Sequence, residues 1–287
     1  MRRFVDLHVH TTASDGTDTP SAVVRGAAEA GLAAVAVTDH DTVAGLHEAE
    51  EAGHGQGIEV IRGCELSAHS VCGELHILGL WLPRDVATLE ATLKTARERR
   101  GVRNRLIVDK LNALGLDMEY GAVLAEANGE AVGRPHIARA MIRQGHVPDE
   151  RTAFDRYLRY GAPAFVPKQT LAAREAVRLL ADLGATVALA HPLLVRSPRP
   201  ELEACIEDLC AEGLIALEAF HADHNQAGEV YVRALARRLG LGITGGSDYH
   251  GRTKPSVKLG RGRGNLRVGL EVLEALKQQR RDRGLPI

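Results

Sequence analysis

Asp6-Leu7-His8-Val9-His10-Thr11-Thr12-Ala13-Ser14-Asp15-Gly16 reads as a strand that runs into a loop rich in ligand-type side chains. Apolar Val5, Leu7 and Val9 alternate with Asp6, His8 and His10. Strand side chains repeat every two residues, so both imidazoles project from one face while Leu7 and Val9 pack against the other. Two imidazoles on one face can grip one ion. Asp15 follows in a Thr/Ser/Asp/Gly loop able to bring a carboxylate back toward a neighbouring ion. Two surface histidines on an edge strand is the competing reading of this stretch alone.

The rest of the chain repeats the device. Leu32-Ala33-Ala34-Val35-Ala36-Val37 is a continuous apolar run, the pattern of a strand buried on both faces, and it stops at Thr38-Asp39-His40-Asp41. Ile58 to Glu65 predicts a strand ending in Glu65, and Glu74 to Trp81 one with His76 inside it. Thr186 to Ala190 stops at His191-Pro192, Ile215 to Phe220 is followed by His221, Asp223 and His224, and Leu241 to Thr244 leads into Gly246-Ser247-Asp248-Tyr249-His250. Helical patterns separate these runs, opened by Thr19-Pro20 and closed by glycines such as Gly31 and Gly184. Asp39 is expected to support His40 from behind, and His221 to be an ordinary loop histidine.

Between residues 100 and 165 the alternation lapses. Tyr120 to Ala127, a helix opened by Gly133-Arg134-Pro135-His136, and Glu150 to Leu158 are all helical in pattern, so 101–165 is expected to be a helical insertion into a domain made of 1–100 and 166–287. Phe165-Val166-Pro167, ahead of Lys168, reads as a short extended piece. The basic run from Lys94 to Arg105 reads as a solvated helix face.

The chain has 287 residues, 45% of them apolar and only 3% aromatic, so its core must be built from Ala, Val and Leu, as in an α/β barrel or sheet. Its 36 basic and 37 acidic residues nearly cancel, which argues against binding long duplex nucleic acid or an anionic membrane through global charge. No run of about 18 apolar residues is present, and a cytoplasmic protein is expected. Cys64, Cys72, Cys205 and Cys210 lack paired metal spacing and read as small apolar residues. Neither a dinucleotide-type glycine motif nor a Walker loop is found, which disfavours nucleotide cofactors and ATP-driven transfer.

Seven successive predicted strands end in, or carry, His, Asp or Glu. In a barrel of parallel strands the C-terminal strand ends converge on one mouth. His8, His10, Asp15, His40, Glu65, His76, His191, Asp248 and His250 are therefore candidate metal ligands, too many for one ion and suited to two or three with a bridging carboxylate. Such a cluster acidifies water and holds phosphoryl oxygens in line, which points to a hydrolase of phosphate esters acting through a metal-bridging hydroxide.

These motifs resemble the polymerase and histidinol phosphatase (PHP) superfamily of metal-dependent phosphoesterases along essentially the whole chain. The matching segments are Asp6 to His10 with Ser14-Asp15-Gly16, Thr38 to Asp41, Gly63-Cys64-Glu65, Glu74-Leu75-His76, Ala190-His191-Pro192 and Gly246 to His250. The resemblance implies an α/β fold, a distorted (βα)7 barrel with three ion sites, in which the helical insertion caps the active site. One ion would take His8, His10, Glu65 and Asp248, a second Glu65, His76 and His191, a third Asp15, His40 and His250. Manganese is the first expectation, with zinc or iron as alternatives. Asp15 in place of histidine, together with the insertion, resembles the branch of nucleoside 3′,5′-bisphosphate phosphatases and 5′-to-3′ exonucleases of short RNA. The implied substrates are small nucleotides such as pAp, losing a 5′- or 3′-phosphate, and short 5′-phosphorylated RNA. His191, Asp248 and His224 would carry the chemistry. Arg134, His136, Lys168 and His224 would hold substrate, Arg134 and His136 from a helix N-terminus that favours phosphate. A phosphatase for a small metabolite such as histidinol phosphate is the alternative enzyme, and a catalytically silent metal-binding PHP module the alternative of another class.

Overall fold

The computed structural model describes residues 3–127, 132–167, 170–264 and 266–287. The chain divides into two compact units, one made of Met1–Glu90 with Leu171–Ile287 and the other of Ala91–Thr170.

The first unit alternates strand and helix: β1 (Phe4–Val9), α1 (Pro20–Glu29), β2 (Leu32–Val37), α2 (Leu46–Gln56), β3 (Glu59–Ser70) and β4 (Gly73–Leu80). The chain leaves this unit along α3 (Ala87–Ala113). In the second unit α3 is followed by α4 (Tyr120–Ala127), α5 (Arg134–Arg143) and the short α6 (Glu150–Ala153), which widens into a π-helical turn at Phe154–Leu158. Back in the first unit come β5 (Leu171–Ala172), α7 (Ala173–Asp182), β6 (Thr186–Leu189), α8 (Arg199–Cys210), β7 (Ala216–His221), α9 (Gln226–Leu239), β8 (Gly242–Gly246), β9 (Val268–Gly269) and α10 (Leu270–Asp282). No helix among the described residues is long and apolar enough to cross a membrane.

The strands form one sheet in the order β8-β7-β6-β4-β3-β2-β1-β9, with β5 added to β3. Asp248 N–H donates to His8 O and His10 N–H to Tyr249 O, both at 2.9 Å. These bonds bring the end of β8 back to β1, so seven longer strands nearly close into the distorted barrel. Its core is built of small and branched aliphatics, among them Val5, Leu7, Ala34, Ala36, Ile61, Leu78, Ala188 and Ala216. Helix ends follow local chemistry. Thr19 accepts the Ala22 N–H at the start of α1, Asn225 accepts the Gly228 N–H at the start of α9, and Gly240, at φ +67°, stops α9 in the left-handed region.

Three expectations need correction. The barrel is not all parallel: β4 runs antiparallel to both β3 and β6. β3 also continues past Glu65 to Ser70, because the hairpin to β4 supplies hydrogen-bond partners for those extra residues. Phe165 to Pro167 is no strand; the short strand nearest to it is β5. In the second unit a separate core forms around Ile107, Leu111, Met118, Val123, Ile137, Met141 and Leu158. All four cysteines are free, three of them buried and Cys210 partly so.

Candidate metal centre

Glu65 lies at the middle of the site. It projects from β3 and is fully buried. His8 Nε2, His10 Nε2 and His40 Nδ1 stand 3.2, 3.1 and 3.1 Å from its Oε2, and His76 Nδ1 and His191 Nε2 stand 3.0 and 3.1 Å from its Oε1. Five imidazole nitrogens thus surround one carboxylate, which offers only about four lone-pair positions. Glu65 Oε2, His40 Nδ1 and His10 Nδ1 are buried and make no hydrogen bond of proper geometry among the described residues. Two ligands of one divalent ion, each about 2.1 Å from it, lie about 3.0–3.4 Å apart, which is the spacing seen here. The donor set of imidazoles and carboxylates without thiolate suits divalent ions of borderline character.

The candidate ligands arrive from separate elements. His8 and His10 share one face of β1, with their Nε2 atoms 3.1 Å apart. Asp248 Oδ1, just past β8, is 3.3 Å from His10 Nε2 and 3.7 Å from His8 Nε2. A second group gathers His40, Glu65 and His76, and a third His10, Asp15, His40 and His250. Asp15 Oδ1 is 3.4 Å from His250 Nε2 and 3.8 Å from His10 Nδ1, so the two nitrogens of His10 face two different groups. His76 reaches the mouth because β4 is antiparallel. It sits near the start of its strand, opposite Ser67 and diagonal to Glu65.

An outer layer fixes the ring orientations. Glu218, buried in β7, accepts from His8 Nδ1–H at 2.9 Å and from the His191 backbone N–H at 2.7 Å. His250 Nδ1–H donates to Asp248 O at 2.8 Å, turning its Nε2 toward Asp15. Partners of this kind orient metal ligands and raise their basicity. His191 and Asp248 have φ of +27° and +54°. Side-chain-bearing residues adopt this region at a cost of about 1–3 kcal/mol, and such strain gathers at working sites.

The charges are strongly coupled. Burial pushes the Glu65 carboxyl up, but the surrounding histidines outweigh it and hold it well below the usual range; Asp248 follows the same pattern through His10, His221 and His8. Burial alone would lower His8, yet Glu218 and Glu65 raise it well above the ordinary imidazole value, and Asp248 and Glu65 lift His10 to about 9 against the same burial. For His40 and His250 burial wins and both are lowered.

Of the expected substrate residues, Lys168 lies outside the described residues. His136 is buried, and its Nδ1 accepts the Gly133 N–H at the start of α5. Arg134 donates to Leu158 O at 3.2 Å and lies 5.9 and 5.8 Å from the Phe154 and Phe165 ring centres. His224 is buried beside the His221 ring; its Nδ1–H donates to Ala219 O at 3.0 Å, its Nε2 has no partner among the described residues, and burial lowers its pKa.

Two readings change, and two residues were missed. Asp39 does not support His40. It accepts from Thr11 N–H, Thr11 Oγ1 and Ser14 Oγ at 2.7, 2.8 and 2.6 Å, and so braces the loop that carries Asp15. His221 is no loop bystander: it is buried, takes the Asp223 N–H on Nδ1 and directs Nε2 to Asp248 Oδ2 at 3.4 Å. Glu218 was not singled out, although a carboxylate inside the apolar run Ile215 to Phe220 is itself a signal, because an unpartnered charge would not be buried there. Lys254, whose Nζ is 2.5 Å from Asp248 Oδ2, carries no such signal.

Residues 6–161 match the PHP domain family. A 3′,5′-nucleoside bisphosphate phosphatase of Chromobacterium violaceum is 36% identical over 248 residues, which cover 86% of this chain and 87% of that protein. A 5′-3′ exoribonuclease of Haemophilus influenzae is 33% identical over 250 residues, covering 87% and 91%. A solved Bifidobacterium adolescentis chain described as a metal-dependent phosphoesterase superposes with a TM-score of 0.81 at 28% identity, covering 96% of each chain. The chain is thus a phosphoester hydrolase that belongs to the PHP domain family.

Proposed function

We propose that this chain hydrolyses phosphate esters of small nucleotides, 3′,5′-bisphosphate nucleotides first and short 5′-phosphorylated RNA second, using two or three divalent ions, with Mn²⁺ preferred. The observation that carries this reading is the ring of five imidazoles around Glu65, with Asp15, Asp248 and His250 beside it. His8, His10, Glu65 and Asp248 would hold one ion, Glu65, His76 and His191 a second, and Asp15, His40 and His250 a third. Divalent ions bound there supply a water acidified toward neutral pH and positive charge for the phosphoryl oxygens. Glu218 holds His8 and the His191 backbone, and Asp39 holds the Asp15 loop, so the ligands are fixed before substrate arrives. His224 is neutral near pH 7; its Nε2 accepts a proton during attack and returns it to the departing ribose oxygen.

The names of two relatives, a nucleoside bisphosphate phosphatase and an exoribonuclease, support nucleotides as the substrate class, while a third is named for a phosphoribosyl cyclic phosphate. The test is phosphate release by the Mn²⁺-loaded chain from 3′,5′-bisphosphate nucleotides, mononucleotides, histidinol phosphate and 5′-phosphorylated RNA. A kcat/KM for bisphosphates at least about tenfold above the others is expected, a difference of about 1.4 kcal/mol in transition-state binding. Preference for histidinol phosphate would replace the substrate, and no release from any ester would leave a silent module. His191→Ala and Asp248→Ala should each abolish release.

A further inference from the structure

From Gly251 to Leu270 the chain carries Arg252, Lys254, Lys258, Arg261, Arg263 and Arg267, and no Asp or Glu. The chain as a whole has a formal net charge of −1, so this is a local excess of one sign. The segment follows directly on His250 and starts at the metal centre. Arg252 N–H donates to Thr17 Oγ1 at 2.8 Å, Thr253 Oγ1 to Asp15 O at 3.4 Å, and Lys254 Nζ to Asp248 Oδ2 at 2.5 Å. It then runs away from the mouth along the barrel wall. Gly260 N–H is held by Asp6 Oδ2 at 2.7 Å, and Val268–Gly269 pair with Val5 and Phe4 at the opposite end of β1.

Two of the six cations are neutralised, Lys254 by Asp248 and Arg263 by Asp223 at 2.7 Å. Arg252, Lys258 and Arg261 are exposed and form no ion pair among the described residues, and exposed Arg267 donates to backbone carbonyls and lies 5.9 Å from the centre of the Phe4 ring, with no carboxylate partner among the described residues. A solvated surface needs no such segregation. A row of unpaired cations leading from a phosphoester-cleaving centre fits a flexible polyanion whose terminal phosphate is in that centre and whose remaining phosphates trail along the wall.

We propose that Arg252, Lys258, Arg261 and Arg267 form a track for the backbone of single-stranded RNA, so that this chain takes short oligonucleotides end-on as well as mononucleotides. The inference rests on the nucleotide reading above and assigns its longer substrate class a binding surface. Recognition is by phosphate and therefore independent of base sequence.

The test is fluorescence anisotropy of the Mn²⁺-loaded chain with a 5′-phosphorylated RNA octamer carrying phosphorothioate linkages and a 3′ fluorophore, between 50 and 200 mM salt. Three neutralised phosphates on a single strand give a log–log salt slope of about −2, or about 16-fold weaker binding over that range. Lys258→Glu with Arg261→Glu, both on the surface and outside the ligand set, should flatten the slope by about 1.4 and weaken octamer binding at 50 mM by at least about tenfold. Hydrolysis of a 3′,5′-bisphosphate mononucleotide should be unchanged in the same variant. An unchanged slope in the variant, or octamer binding by the unaltered chain no tighter than that of the mononucleotide, would overturn the track while nucleotide hydrolysis stands. Absence of nucleotide hydrolysis by the unaltered chain would overturn the functional reading and the track with it.

Discussion

Glu218→Gln isolates what the outer carboxylate contributes. The substitution keeps the shape of a fully buried side chain and removes its charge. Glu218 accepts two hydrogen bonds, from His8 Nδ1–H and from His191 N–H. A glutamine has one acceptor oxygen for these two donors, so one hydrogen bond becomes a donor facing a donor. Losing one bond to a charged acceptor costs about 1.5–3 kcal/mol. Since about 1.4 kcal/mol is a factor of ten, the loss corresponds to about 10- to 100-fold in ion affinity, the range seen when partners behind metal ligands are removed. Competition of the variant against a chelating dye, read as Mn²⁺ affinity, should show that drop, and kcat/KM should fall with it while circular dichroism is unchanged. A folded Glu218→Gln variant with undiminished ion affinity would refute the claim that His8 and His191 are set from β7.

A Cβ at Gly246 would sit 2.4 Å from both Cβ and N of His8, so Gly246→Ala should cost about 1–3 kcal/mol and displace His8; thermal melting and ion binding should both weaken, and a variant unchanged in both would contradict the tight β8–β1 approach. In the ion-free chain the proton on His10, whose folded pKa of about 9 exceeds the free value of 6.5, stabilises the fold fully below pH 6.5, and this contribution is lost as pH rises through 9. The melting temperature of the chelator-treated protein should therefore fall over that interval, whereas with Mn²⁺ present it should hold or rise, because ions bind the deprotonated rings; parallel curves would count against ion binding at His10. Arg280 is fully buried away from the centre, donating to Pro286 O, Gly184 O and Thr186 Oγ1 at 2.7, 3.0 and 3.0 Å. Arg280→Met should destabilise by about 3 kcal/mol through orphaned carbonyls and leave kcat intact, so a kcat that fell with stability would tie this end of the barrel to catalysis.

Most of the side chains that gather around Glu65 were legible in the chain as polar residues placed at or near the end of an apolar strand, whereas Glu65 and His76 lie within β3 and β4. His8, His40, His191 and Asp248 lie at or near strand ends, and period-two alternation places His10 with His8. What could not be read depends on contacts between distant residues. That β4 runs backwards is decided by pairing with β3 and β6, and periodicity has no sign for direction. Asp39 precedes His40 in sequence, but its oxygens point to Thr11 and Ser14, 28 and 25 residues earlier. Lys254 looks like any loop lysine until Asp248 folds onto it. Glu218 falls between these cases, since its burial was implied by its apolar neighbours and its partners were not.

The β3–β4 hairpin turns through only Val71 and Cys72, and beyond it His76 faces Ser67 on the same side as Glu65. Because faces alternate with every residue, a slip of this pairing by one position would send His76 outward and bring Leu75 or Ile77 inward. Parity, more than distance along the chain, therefore constrains drift here. Substitutions at the exposed tip residue Val71 should accumulate freely, while single-residue insertions or deletions between Glu65 and His76 should be purged.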